Sequence, residues 1–183
     1  MSIVMDKIVE LINQDTLRLK ALECVALLDL PQGYIAAGFV RNLVWDALHH
    51  KRESTPLNDI DVIYFDTTET DGDAYLIYEA KLKHMMPDVN WQVRNQAIMH
   101  LRNGDHPYLS VIDAMRYWPE KETAVAIRKN LNDEVECISA FGFDSLFALE
   151  VTFNPKRCYE IFEHRINSKD WLKTWPRLKI LPS

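Results

Sequence analysis

Residues 58–66 read Asn58-Asp59-Ile60-Asp61-Val62-Ile63-Tyr64-Phe65-Asp66. The run is rich in β-branched and aromatic side chains, and the loop before it, Ser54-Thr55-Pro56-Leu57-Asn58, contains a proline that breaks regular structure. It reads as a strand over 59–66. Successive side chains on a strand leave opposite faces, so Ile60, Val62 and Tyr64 form one side and Asp59 and Asp61 the other. Two carboxylates spaced this way have Cα atoms roughly 6 to 7 Å apart and can grip one hard cation together. Magnesium or manganese is the expected ion, because such metals take oxygen ligands and complete their shell with water and substrate phosphates.

Upstream, Tyr34 to Ala37 is a short apolar run suited to a buried strand, and Gly38 follows. A helical pattern then begins, with Val40, Leu43, Val44, Ala47 and Leu48 on one side and the cations of His49-His50-Lys51-Arg52 at its end. A strand that turns at glycine into a helix brings backbone N–H groups close to a phosphate at the helix N-terminus. Arg41 adds a charge-assisted donor, and Asn42 donates or accepts nearby. Downstream, 67–72 is a polar turn, 74–86 a helix and 89–95 a strand with Val89, Trp91 and Val93 facing the core. Helix 110–118, a hairpin of 123–128 with 135–139, and helices 144–151 and 155–166 follow, before a tail bearing Trp171 and Trp175.

Helices 6–13 and 17–28 precede all of this. Strands interleaved with helices predict an α+β (α/β mixed) domain: a small mixed sheet of four or five strands, the Asp59 strand central, with helices packed mainly on one face. The length suits one domain over 1–183, with 1–30 and 155–183 as helical appendages.

The blocks AAGFVRNLVWDALH, NDIDVIYFD, VNWQVRNQAIMH, ETAVAIRKN and AFGFDSLFALEV, with Trp-Pro near the end, resemble a bacterial nucleotidyltransferase-like family related to the DNA polymerase beta superfamily. The resemblance runs from about residue 34 to 178. It implies a glycine motif before a helix, Asp59 and Asp61 as metal ligands, and transfer of a nucleoside monophosphate from a triphosphate to an acceptor with release of pyrophosphate. Gly38, Arg41 and Asn42 are then the phosphate-holding set. It also draws Arg94 and Asn95, polar residues in an apolar neighbourhood, toward the site.

Two departures stand out. Phe39 occupies the place after Gly38 where the superfamily has a second small residue, and the third carboxylate has no counterpart. The active face of strand 89–95 offers Asn90, Gln92 and Arg94 instead; Asp66, Asp88 and Glu122 are the remaining candidates. An inactive nucleotide-binding or protein-interaction module on the same fold is therefore the competing expectation.

Composition sets the outer limits. At 48% hydrophobic and 26% charged residues, the chain has the profile of an ordinary globular protein and excludes collagen-like and disordered classes. No apolar run approaches a membrane span and the first residues lack a secretory pattern, so a cytoplasmic protein is expected. Cys24, Cys137 and Cys158 are widely spaced and form no metal or disulfide pattern. A net charge of -6 argues against a large nucleic-acid surface but leaves a nucleoside triphosphate as partner; the acceptor stays open among protein, small alcohol and nucleic acid.

Overall fold

The computed structural model describes residues 2–182. Two helices, α1 (Ile3–Asn13) and α2 (Thr16–Ala26), lead into strand β1 (Tyr34–Ala36), helix α3 (Gly38–Leu48) and strand β2 (Ile60–Tyr64). Helix α4 (Tyr75–Met85), strand β3 (Trp91–Asn95) and helices α5 (Gln96–Asn103) and α6 (Val111–Met115) come next. The hairpin of β4 (Val125–Lys129) and β5 (Val135–Ser139) is followed by α7 (Asp144–Phe147) and β6 (Glu150–Thr152). Helices α8 (Tyr159–Lys169) and α9 (Trp171–Thr174) and strand β7 (Lys179–Leu181) end the described chain.

Five strands form one mixed sheet in the order β3-β2-β1-β4-β5. β2 is antiparallel to β1 and parallel to β3, so it is interior, but the middle position belongs to β1. The side-chain alternation read from the sequence holds. Ile60, Val62 and Tyr64 lie in the larger core with Ile35, Trp91, Val93, Val125 and Ile127, packed against α1, α2, α3 and α4. Ile63 and Phe65 lie on the opposite face, in a smaller core with Tyr108, Val111, Ala114 and Met115. The helices thus cover mainly one face, and α5 with α6 covers part of the other.

Two elements differ from the sequence reading. Residues 144–151 are not one helix: α7 stops at Phe147, Leu149 takes φ +58, and the chain turns into β6, which pairs in parallel with the unforeseen β7. The apolar spacing there serves a strand buried at Val151. Helix α5 was also hidden, because it starts with no loop: Asn95 ends β3 and its side chain accepts the Ala97 N–H as the helix cap. The C-terminal segment is built into the larger core, where Trp171 and Trp175 meet Trp45 edge-on with ring centroids 5.7 and 5.1 Å away.

Candidate active site

Register places the key carboxylate. Asp61 sits between Ala36 of β1 and Gln92 of β3, so it lies one residue from the turn that starts α3. Asp59 falls just ahead of β2, exposed, and accepts a hydrogen bond from the Asn90 amide. Both acids, together with Gly38, Arg41 and Asn42, line a cleft of about 520 Å³. Partial burial and the neighbouring Asp59 push the Asp61 carboxyl above the ordinary range, and Arg41, Lys169 and Arg94 oppose that rise.

Arg41 is held from several sides. It donates to Thr123 Oγ1 at 2.7 Å and to Asn42 Oδ1 at 3.1 and 3.2 Å, and its guanidinium lies 4.9 Å from the Trp45 ring centroid and 4.5 Å from that of Trp171. Burial lowers its pKa to about 10, and Glu120 opposes this, so it remains a cation at neutral pH. A Cβ added at Gly38 would stand 3.3 Å from both Arg41 Nη2 and Asn42 Nδ2. Glycine here lets those two side chains pass beneath the first turn of α3.

The turn into α3 is strained at Ala37, the residue before Gly38. Phe39 is buried, and its carbonyl accepts a 2.7 Å bond from Arg18 Nε, so its side chain is committed to the core. Ala37 carries the unusual conformation, φ +59 and ψ -125, while its carbonyl accepts the N–H groups of Val40 and Arg41. Such a backbone costs an alanine about 1 to 3 kcal/mol, against roughly 0.5 to 1 for the extra unfolded-state freedom of glycine. Ala37→Gly is expected to raise the melting temperature by about 2 to 4 °C, at the rate usual for a domain of this size. A calorimetric scan showing no rise would mean that the turn relaxes without strain.

The sequence missed the roof of the cleft. Arg165 and Lys169, one turn apart on α8, line it together with Trp171 and Trp175. Arg165 Nε donates to Glu120, which is fully buried, and this pairing anchors α8 over the sheet. Asp46, also unremarked in the sequence, accepts from the Thr55 backbone at 2.7 Å, the Thr55 hydroxyl at 2.6 Å and Trp175 Nε1 at 2.8 Å. One buried carboxylate thereby ties the loop before Asp59 to the C-terminal segment. Only contact across the fold reveals these roles.

Other expected residues fall elsewhere. Arg94 reaches the Asp61 neighbourhood but is spent on Glu79, the Val93 carbonyl and Gln92. Asn95 sits at the far end of β3 from Asp59, with its amide bonded to the Asp66 carbonyl and Glu69 and its oxygen accepting from Asp66 and Ala97. Asp66 itself accepts from Thr68, and Glu122 is turned toward the Thr152 N–H. Among the described residues no group of three His, Cys, Asp or Glu side chains gathers where it would hold a metal.

With this geometry in place, the chain's likeness to known proteins is informative. The model of a nucleotidyltransferase family matches residues 23–180. The chain belongs to that nucleotidyltransferase family. Its fold is similar to a protein whose NMR structure is described as a CCA-adding enzyme head domain, with 29% identity and a TM-score of 0.84 over 96% of this chain and 94% of that one. A CCA-adding enzyme in complex with CTP shares the fold at 15% identity and a TM-score of 0.61, and a tRNA-processing enzyme does so at 15% and 0.52. This nucleotidyltransferase chain spans 44% of the length of each of those two larger proteins. No curated protein matches the sequence. Among the described residues no helix is long and apolar enough to cross a membrane.

Proposed function

We propose that the protein is a metal-dependent nucleotidyltransferase that moves a nucleoside monophosphate from a nucleoside triphosphate to a hydroxyl acceptor. The observation that carries this reading is the convergence, in one cleft, of the Asp59–Asp61 pair, the start of α3 at Gly38, and the cations Arg165 and Lys169. The donor set fits magnesium or manganese: two carboxylates on adjacent same-face positions, with the rest of the shell left to water and phosphate oxygens. When bound, such an ion supplies charge neutralisation at the transferring phosphate.

The chain's own residues do the remainder. Arg165 and Lys169 hold phosphate charge from above, and the N-terminal end of α3 offers backbone donors from below. Arg41, packed against both Trp45 and Trp171, keeps Asn42 and the Gly38 turn in place and lessens the cost of ionising Asp61. Asp59 and Asp61 are the acids that face the cleft, so loss of the acceptor proton has no further carboxylate to assist it, and turnover is expected to be slow. A protein of the same fold described in complex with CTP supports a triphosphate as the nucleotide.

Melting curves with Mg²⁺, with each of ATP, GTP, CTP and UTP, and with both together test the reading. Ligand bound only to the folded state adds about 2.7 kcal/mol at a hundredfold excess over Kd. The combination is expected to exceed the sum of the separate shifts for at least one triphosphate. Additive shifts throughout would remove the metal–nucleotide site. A cleft that presents two acids in place of three favours a second reading, an inactive nucleotide-binding module, which would show that synergy without any label transfer.

A further inference from the structure

Glu120 is fully buried, and its backbone is pinned on both sides. It pairs with Phe153 across an antiparallel bridge, and its carbonyl accepts the Thr123 N–H at 3.3 Å where the chain enters a single 3-10 turn at Lys121–Thr123. One side-chain oxygen, Oε1, accepts from Arg165 Nε, while Oε2 is buried and meets no donor. A carboxylate with an empty buried oxygen is a costly fastening for a helix, since the unmet acceptor keeps its desolvation penalty and apolar residues of similar volume often hold as well. What the pair fixes in addition is direction. Nε is the inner nitrogen of a planar guanidinium, so bonding it to a rigid post sets the plane and leaves the outer nitrogens Nη1 and Nη2 free. Those two nitrogens bond no described residue, and the Arg165 side chain is 29% exposed, so they remain open to a ligand. Arg165 lines the cleft that holds Asp59 and Asp61.

From these observations we infer that Glu120 is a positioning residue: by taking Arg165 Nε it turns the free Nη pair toward the cleft, where Arg165 grips the triphosphate as a fork. The inference rests on the reading of this cleft as a metal–triphosphate site. Two parallel N–H···O bonds to one phosphate need both outer nitrogens unspent and in one plane, which a lysine ammonium does not provide. Lys169, also in the cleft, adds positive charge without that geometry. Glu120 itself touches no substrate; it acts only through Arg165.

The protein is titrated calorimetrically at 10 °C with Mg²⁺ and each of ATP, GTP, CTP and UTP, and the tightest is carried through the variants, each shown by its melting curve to be folded. Arg165→Met is expected to weaken binding about tenfold, the loss that goes with a charge-assisted contact to phosphate. Glu120→Leu should weaken it to a similar extent. In the Arg165→Met background the same change should cost no more than about twofold, because a residue that acts through Arg165 then has nothing to orient. Arg165→Lys keeps an ion pair with Glu120 but has no fork, so it should bind as poorly as Arg165→Met while melting near the wild-type temperature. A helix anchor alone would give the opposite pattern: lower melting temperatures, with affinity intact in every folded variant and restored by lysine. Wild-type affinity in Glu120→Leu, additive losses in the double variant, or wild-type affinity in Arg165→Lys overturns the proposal; the lysine variant decides it even if Glu120→Leu does not fold. A wild-type protein that binds none of the four triphosphates with Mg²⁺ defeats the parent reading, and the proposal with it, whereas wild-type binding that the variants leave untouched defeats the proposal alone.

Discussion

Double replacement Asp59→Asn, Asp61→Asn is expected to abolish nucleotidyl transfer, by at least about a thousandfold, while leaving the protein folded. Groups that stabilise charge on a transferring phosphate commonly contribute several kcal/mol, and each 1.36 kcal/mol is a factor of ten in rate. The protein itself should lose nothing in stability. Asp61 is partly buried beside another negative charge, which raises its pKa. An acid whose folded pKa is raised favours the unfolded state once ionised, and stability falls as pH climbs from the ordinary carboxylate value through the raised one. A neutral amide in place of the Asp61 carboxylate removes that penalty, so the metal-free variant should melt at or slightly above the wild-type temperature at pH 7. In the wild type, proton and metal compete for Asp61, and the metal–triphosphate shift should fade as pH drops through a range above that of a free aspartate. The assay is transfer of α-³²P label from each triphosphate to acceptors in a cell extract. Equal transfer by the double variant would place the chemistry elsewhere, and a variant that fails to fold would assign the pair a structural role.

Those two carboxylates were legible because a strand's alternation is a local property: once Ile60, Val62 and Tyr64 are seen to share a face, Asp59 and Asp61 must share the other. Gly38, Arg41 and Asn42 were legible for a related reason, since a helix start follows from its own residues. The rest depended on distance in sequence. Arg165 and Lys169 look like ordinary surface cations of an amphipathic helix, and only the Glu120–Arg165 pair, 45 residues apart, brings α8 over the site. Asp46 reads as one polar residue on a helix, yet it gathers Thr55 and Trp175. Asn95 misled in the opposite direction: an amide in an apolar neighbourhood suits a ligand site and a helix cap equally, and here it is the cap. The strand at 150–152 was unreadable without its partner at 179–181, because three residues carry too little periodicity to separate strand from helix.

Trp171 joins the C-terminal segment to the chemistry, so its removal should have the largest effect on the fold. The side chain is 4% exposed, meets Trp45 edge-on and lies over the Arg41 guanidinium. Trp171→Ala is expected to cost about 3 to 5 kcal/mol from lost burial and the cavity left behind. For a domain of this size that is a fall of roughly 6 to 20 °C in melting temperature. The contact with Arg41 adds a consequence that an ordinary core position would lack. Without Trp171, Arg41 loses one of the two rings that hold it against Asn42 and Gly38, so triphosphate affinity should fall even where the variant is fully folded. Trp171→Phe separates the two effects: it keeps an aromatic face for the cation but loses area, and should recover most of the affinity while recovering only part of the stability. Titration of each folded variant at 10 °C with Mg²⁺ and the best triphosphate gives the comparison. If affinity followed stability alone across the pair, Trp171 would be a packing residue and Arg41 would hold its place without it.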